Sequence, residues 1–258
     1  VAPGVALVIF NVRLLGVCGV CAQNPADGCI QLCLLFWLWG HLFNQLGGAL
    51  ARLFELVGEK MNLQEVKFAC LDTETTGLCP KEGGKICEIA VSVTQNGAPV
   101  EEFSTLLNPG IPMSPAVVAI HGITNEMVSG APAFADIAPR LLAVLDGCVL
   151  VAHNADFDLK FLQHEFASCG LRLPPAPVVD TLKLARKSGK FAKNNLGCVA
   201  EQLGINCQGW HRAMADTKMA EQIFYYFLNR LSGQGVKTVE NLQQFQYKNW
   251  AELLSASA

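Results

Sequence analysis

From residue 61 onward, apolar positions recur first with the period of strands and then with the period of helices. Residues 66–72 (VKFACLD) are an apolar run of strand length. Residues 86–93 and 100–106 read as two more strands. Asn96-Gly97 between them is hairpin chemistry, because both residues tolerate positive φ. Apolar Ile137, Leu141, Val144 and Leu145 keep helical spacing within 133–145. Residues 149–152 read as a fourth strand, followed by a helix from near Asp156 through about Ser168. Pro174, Pro175 and Pro177 punctuate the next connection, and Val178-Val179 make a short fifth strand. Helical stretches follow over 181–187, 196–203 and 213–231, with a short one near 239–245. An antiparallel hairpin followed by βα units predicts an α/β fold, a mixed sheet of about five strands flanked by helices.

The first 60 residues do not share this pattern. Their two apolar stretches, 5–22 and 30–43, are broken by Asn11 and Arg13 or kept short with Gln31 and His41. Neither reaches the roughly 20 apolar residues of a membrane span. No basic stretch precedes the first one as in a signal peptide, although Val20-Cys21-Ala22 resembles a cleavage site. Cys18-x-x-Cys21 and Cys29-x-x-x-Cys33 offer zinc-type ligands, but the seven-residue gap and apolar surroundings fit a zinc site poorly. Met61 is the first methionine and lies just before the first strong strand. The expectation is an apolar extension over 1–60 that is a misassigned start or dispensable, a domain over 61–231, and a polar tail over 232–258. No membrane association is expected.

Composition narrows the function classes. Hydrophobic content of 51% against 16% charged excludes wholesale disorder. With 19 basic and 22 acidic residues, no global positive field attracts a polyanion, so such a partner needs a local patch or bound cations. Eleven cysteines, an odd number at irregular spacing, are not a disulfide framework. Seven of them (Cys70, Cys79, Cys87, Cys148, Cys169, Cys198, Cys207) scatter among apolar segments, as thiols do in a reducing, cytoplasmic compartment.

Three segments carry candidate chemistry. In LDTETTGL (71–78), Asp72 and Glu74 are two residues apart and project from one face of a strand. Such carboxylates repel unless a proton or a cation sits between them. In HNADFD (153–158), Asp156 and Asp158 are about 200° apart on a helix. Asp156 in the first turn suits a dipole-favoured charge, so spacing modestly favours Asp158 over Asp156 as the inward carboxylate. In HRAMAD (211–216), His211 is in a loop and Asp216 on the following helix. Four carboxylates and a loop histidine suit hydrolysis of a phosphodiester with two hard cations, Mg²⁺ or Mn²⁺, and a histidine base.

In this order and at these separations, LDTETTGL, HNADFD and H-x-x-x-x-D resemble the three motifs of the DEDD exonuclease superfamily. His211 places the resemblance in the DEDDh branch of 3′–5′ exonucleases, which have a ribonuclease-H-like fold. IHGITNEMV (120–128) and VVDTLKLAR (178–186) extend it across about 66–231. In wording it is nearest to the epsilon-type proofreading subunits of bacterial polymerases. The resemblance implies two Mg²⁺ or Mn²⁺ ions held by Asp72, Glu74, Asp158 and Asp216, with His211 as general base. It implies that the backbone around Thr73 and Thr75, together with Leu78, His121, His153 and Phe157, receives the terminal nucleotide. The residues alone leave Phe157 equally a core side chain and His121 equally a cap at Gly122. The implied substrate is a single-stranded or frayed DNA 3′ end, and the implied partner a polymerase catalytic subunit. An RNA-trimming enzyme of the same superfamily and a non-catalytic module of the same fold are the alternatives. Between the second and third motifs, Lys183, Arg186, Lys187, Lys190 and Lys193 fall close together around Phe191. They read either as a solvated helix end or as a phosphate-tracking patch with a stacking aromatic.

Overall fold

The first strand does not stop where its apolar run stops. In the computed structural model, which describes residues 61–248 and Trp250, β1 spans Lys67–Thr75. Asp72 and Glu74 therefore lie within the strand. β2 (Ile86–Gln95) and β3 (Ala98–Leu106) form a hairpin, turned by Asn96 at φ 49° and Gly97 at φ 76°. With β4 (Cys148–Ala152) and β5 (Val178–Asp180), the sheet has the order β3-β2-β1-β4-β5. β1 runs antiparallel to β2 and parallel to β4, and β4 runs parallel to β5. This is the mixed five-stranded sheet that the hairpin and βα pattern predict.

Helices cover both faces, and the parity of β1 assigns them. Ala69 and Leu71 pack in one apolar cluster with α3 (Phe134–Leu145) and α4 (Ala155–Ser168). Phe68 and Cys70 pack in the other, with α5 (Thr181–Ser188), α6 (Leu196–Gln202) and α7 (Ala213–Ser232). Alternation along the strand carries Asp72 and Glu74 to the α7 side and Thr73 to the α4 side. Two short helices, α1 (Pro115–His121) and α2 (Asn125–Val128), precede α3 and were not expected from periodicity, being too short to show one. Their capping residues were legible. Ser114 accepts a hydrogen bond from the Val117 N–H ahead of Pro115, and Thr124 accepts one from the Met127 N–H.

The predicted tail needs correction. Val236, Val239, Leu242, Phe245 and Trp250 are buried in the α7-side core, and α8 spans Val239–Gln244. The Gln246 side-chain oxygen accepts the Asp180 N–H at 2.6 Å. The Gln246 and Gln243 amide groups both donate to the Val178 carbonyl, at 3.0 and 3.1 Å. Two glutamines thus satisfy the outward backbone groups of the edge strand β5, which would otherwise be left unpaired. The boundary at 231 falls inside the folded unit, because sparse apolar residues in a polar segment hide what they cover. The expectations for residues 1–60, including the Cys18–Cys33 segment, lie outside the described residues.

All seven described cysteines are free, with Cys70, Cys87 and Cys148 buried. Among the described residues no helix is long and apolar enough to cross a membrane.

Candidate active site

Helix α7 is fastened to β2 along its length, and this places Asp216. The Glu88 carboxylate accepts the Ala213 N–H at 3.0 Å, and Thr217 Oγ1 donates to the Ala90 carbonyl at 3.4 Å. Lys218 Nζ donates to Ser92 Oγ at 2.8 Å, and the Tyr225 hydroxyl bonds Thr94 Oγ1 at 2.6 Å. The register brings Asp216, one turn into the helix, over the neighbouring strand β1. There carboxylate oxygens of Asp72, Glu74 and Asp216 all lie within 4.8 Å of one another.

Asp158 comes from the opposite, α4 side of the sheet and is not among the three carboxylates within 4.8 Å. It is 3% exposed, and its Oδ1 accepts the Thr73 N–H at 3.0 Å and the Thr73 hydroxyl at 2.7 Å. Asp156 turns outward and pairs with Lys183 at 2.9 Å. The helical spacing argument separates these two aspartates in the same way.

The cluster is electrostatically strained. Desolvation, then repulsion from Asp158, Asp216, Glu74 and Glu88, holds Asp72 well above the ordinary carboxylate range. Desolvation followed by the charges of Asp216, Glu88 and Asp158 pushes Glu74 up to about 8, with Arg212 opposing. Burial pushes Asp158 up to about 7 against the two bonds from Thr73. Burial likewise pushes Asp216 up to about 7 against the His211 N–H. Converging hard oxygens that resist ionising together are the donor set for a divalent cation, whose charge removes the repulsion.

One carboxylate that the sequence reading missed organises the third motif. Glu88 sits directly across from Glu74 in the β1–β2 register, a like-charge pairing that is unfavourable by itself. Arg212 resolves it. Its guanidinium donates to Glu88 Oε1 and Oε2, at 2.7 Å from Nη2 and 3.1 Å from Nε. Glu88 therefore fixes both the residue after His211 and the first N–H of α7. His211 itself is exposed at φ 67°, its N–H bonded to Asp216 Oδ1 at 3.3 Å. The available signal was a lone charge in ICEIAV, a strand otherwise apolar on both faces.

The exonuclease family model, RNase_T, matches residues 69–224. The chain belongs to the exonuclease family. An epsilon-like DNA polymerase III subunit protein of Rhodobacter capsulatus is 40% identical over 181 residues, covering 68% of this chain and 26% of that protein. The 3′–5′ exonuclease DinG of Bacillus subtilis is 35% identical over 185 residues, 71% of this chain and 20% of that one. The chain thus spans less than a third of the curated relatives it matches. Among solved structures, exonuclease X in complex with 5′-overhanging duplex DNA is 30% identical, with a TM-score of 0.56. It covers 69% of this chain and 99% of its own, which supports the ribonuclease-H-like architecture of this exonuclease domain.

The remaining candidates are placed unequally in this domain. Thr75 Oγ1 donates to the Gly77 carbonyl at 2.7 Å, which shapes the turn after β1. Leu78, 81% exposed, stands out from that turn, while its carbonyl accepts Lys160 Nζ at 2.7 Å. Phe157 is half-buried against Phe161, ring centroids 5.2 Å apart, with Lys160 Nζ 4.5 Å from its own centroid. His121 is buried, and its Nδ1 accepts the Ile123 N–H at 3.0 Å across Gly122. His153 Nε2 lies 2.8 Å from the Asn194 carbonyl and Nδ1 2.9 Å from Thr181 Oγ1. A carbonyl only accepts, so Nε2 carries the proton, and burial holds the imidazole below its usual pKa. Both histidines are thus occupied within the protein.

Arg186 and Lys187 are exposed in the last turn of α5 and Lys190 and Lys193 beyond it, with Lys190 bonded to the Tyr226 hydroxyl. Lys183 is tied to Asp156 and Asp180. Phe191 does not stack outward as the patch reading required. It is buried, edge-on to Phe227 at 6.1 Å.

Proposed function

We propose that the chain is a metal-dependent 3′–5′ exonuclease that removes nucleotides from single-stranded or frayed DNA 3′ ends. The observation that carries this reading is the convergence of Asp72, Glu74 and Asp216 oxygens within 4.8 Å, on a domain of exonuclease fold. Asp72, Glu74, Asp158 and Asp216 hold Mg²⁺ or Mn²⁺, two ions per site. When bound, the ions supply positive charge to the attacking and leaving oxygens of the phosphodiester. His211, exposed at the rim, takes the proton of the attacking water. Thr73, Thr75, Leu78 and Phe157 bound the space for the terminal nucleotide, and His121 and His153 stiffen its walls. Lys187, Lys190 and Lys193 contact the phosphates of the strand behind it. The products are nucleoside 5′-monophosphates.

The epsilon-like relative supports a proofreading role beside a polymerase catalytic subunit. The free thiols support a reducing, cytoplasmic setting.

The test is the purified chain with Mg²⁺ or Mn²⁺ on end-labelled single-stranded DNA, a mispaired primer and RNA. Degradation from the 3′ end with DNA preferred is expected, and Asp72→Ala abolishes it while the fold is kept. A preference for RNA overturns the DNA assignment. Inactivity of folded protein in both metals makes the domain a non-catalytic binding module.

A further inference from the structure

The ring of Trp210 lies face to face with the imidazole of His211, centroids 4.7 Å apart and planes within 14°. Side chains of adjacent residues ordinarily diverge. Here the left-handed backbone of His211, at φ 67°, accompanies a pair of neighbouring rings that overlap. Trp210 is itself fixed from two sides. Its N–H closes a turn on the Cys207 carbonyl at 3.2 Å, with Gly209 at φ 80° between them. The far edge of its indole enters α6, where Gly197 has no side chain. A Cβ at Gly197 would lie 2.4, 2.6 and 2.7 Å from Cη2, Cζ2 and Cζ3 of the Trp210 ring. Real Cβ atoms do not approach that closely, so alanine is excluded with the ring in place.

Gly197 needs this explanation. It is buried in α6 with no left-handed φ, and alanine is the better helix former there. Glycine is the only residue that leaves the indole its room. The consequence falls on His211. Its other anchors are all backbone or neighbouring residues: its own N–H on Asp216 and the Arg212–Glu88 pair. None of these touches the imidazole. The stack with Trp210 restrains the ring directly.

We propose that Trp210 is a positioning residue for His211 and that Gly197 is the notch that seats it. The inference rests on the reading of His211 as general base. An exposed imidazole on a loop samples several rotamers, and a stacked aromatic neighbour narrows them. Misplacing a catalytic group by about 1 Å lowers the rate by about 100-fold. Trp210→Ala and Gly197→Ala should each lower kcat about tenfold or more by this route, with KM little changed. The two act through one contact, so their effects are not additive.

The experiment compares His211→Ala, Trp210→Ala, Trp210→Phe, Gly197→Ala and the Gly197→Ala/Trp210→Phe pair in the full chain. Steady-state kinetics on a single-stranded DNA oligonucleotide, circular dichroism, and the ring-proton shifts of His211 are read together. The expected result is a fall in kcat for Trp210→Ala and Gly197→Ala, with the His211 resonances losing their indole ring-current shift in both. Trp210→Phe recovers most of the rate, and Gly197→Ala then adds little, because a phenyl ring lacks the clashing edge. An inactive His211→Ala with wild-type kcat in folded Trp210→Ala overturns this inference alone. A rise in KM alone overturns it too and makes Trp210 a substrate contact. Wild-type kcat in His211→Ala overturns the base reading, and this inference with it.

Discussion

Thr73 holds the Asp158 carboxylate at two points, by its N–H at 3.0 Å and its hydroxyl at 2.7 Å. This contact ties α4 to the middle of the acidic strand. Thr73 faces α4 while its neighbours Asp72 and Glu74 face α7, so three consecutive residues serve both sides of the sheet. Both bonds favour the charged form of Asp158. Thr73→Val keeps the N–H and removes the hydroxyl. Mn²⁺ affinity by calorimetry should fall about tenfold, as when an outer partner of a metal ligand is lost. An unchanged affinity would make the contact purely structural.

The acidic cluster predicts an unusual pH dependence of stability. Folding raises Glu74 from 4.5 to about 8, and Asp158 and Asp216 from 3.8 to about 7. A raised folded pKa gives stability that is complete below the unfolded value and lost as pH climbs through the folded one. With a chelator present, Tm should therefore decline from about pH 4 to about pH 8. Saturating Mn²⁺ binds the deprotonated carboxylates and should remove the decline. A chelated protein with constant Tm across this interval would contradict the repulsion.

Arg212 compensates a carboxylate that faces another carboxylate. Arg212→Met leaves Glu88 opposite Glu74 with the Ala213 N–H as its remaining partner among the described bonds. Stability by urea denaturation should drop by about 2 kcal/mol, the scale of a charge-assisted hydrogen bond beside a half-exposed arginine. Glu88→Gln in that background should restore part of the loss, since it removes the unpaired charge. Additive losses would show that the pair does not offset the repulsion.

Gln246 closes the edge of the sheet from a segment that looks like a tail. Gln246→Leu keeps its bulk but leaves the Asp180 N–H without its acceptor. The expected loss is about 1–3 kcal/mol, the cost of orphaning a buried backbone group. Amide exchange at Asp180 should quicken in step; unaltered exchange would mean that solvent already reaches this edge.

The exposed lysines offer a test by salt. Replacing Lys187, Lys190 and Lys193 with alanine should weaken single-stranded DNA binding. It should also reduce the slope of log affinity against log salt by about two, at roughly 0.7 per phosphate contact. An unchanged slope would place the strand elsewhere.

Much of this domain is legible in its sequence because strand and helix periods are local. The five strands, the Asn96-Gly97 turn and the separation of Asp158 from Asp156 follow from spacing alone. α1 and α2 escaped because helices of seven and four residues are too short to show a period. Phe191 was read outward because its neighbours are basic, yet an aromatic amid lysines is as readily a core residue whose flanks are solvated.

The sequence by itself determined that Asp72 and Glu74 share a face, since a strand alternates whatever its surroundings. Only the tertiary structure decided that Glu88 lies across from Glu74, that Gln246 caps β5, and that Gly197 is empty for Trp210. Those relationships join residues 13 to 68 positions apart. They depend on register and packing between elements, which no local period encodes.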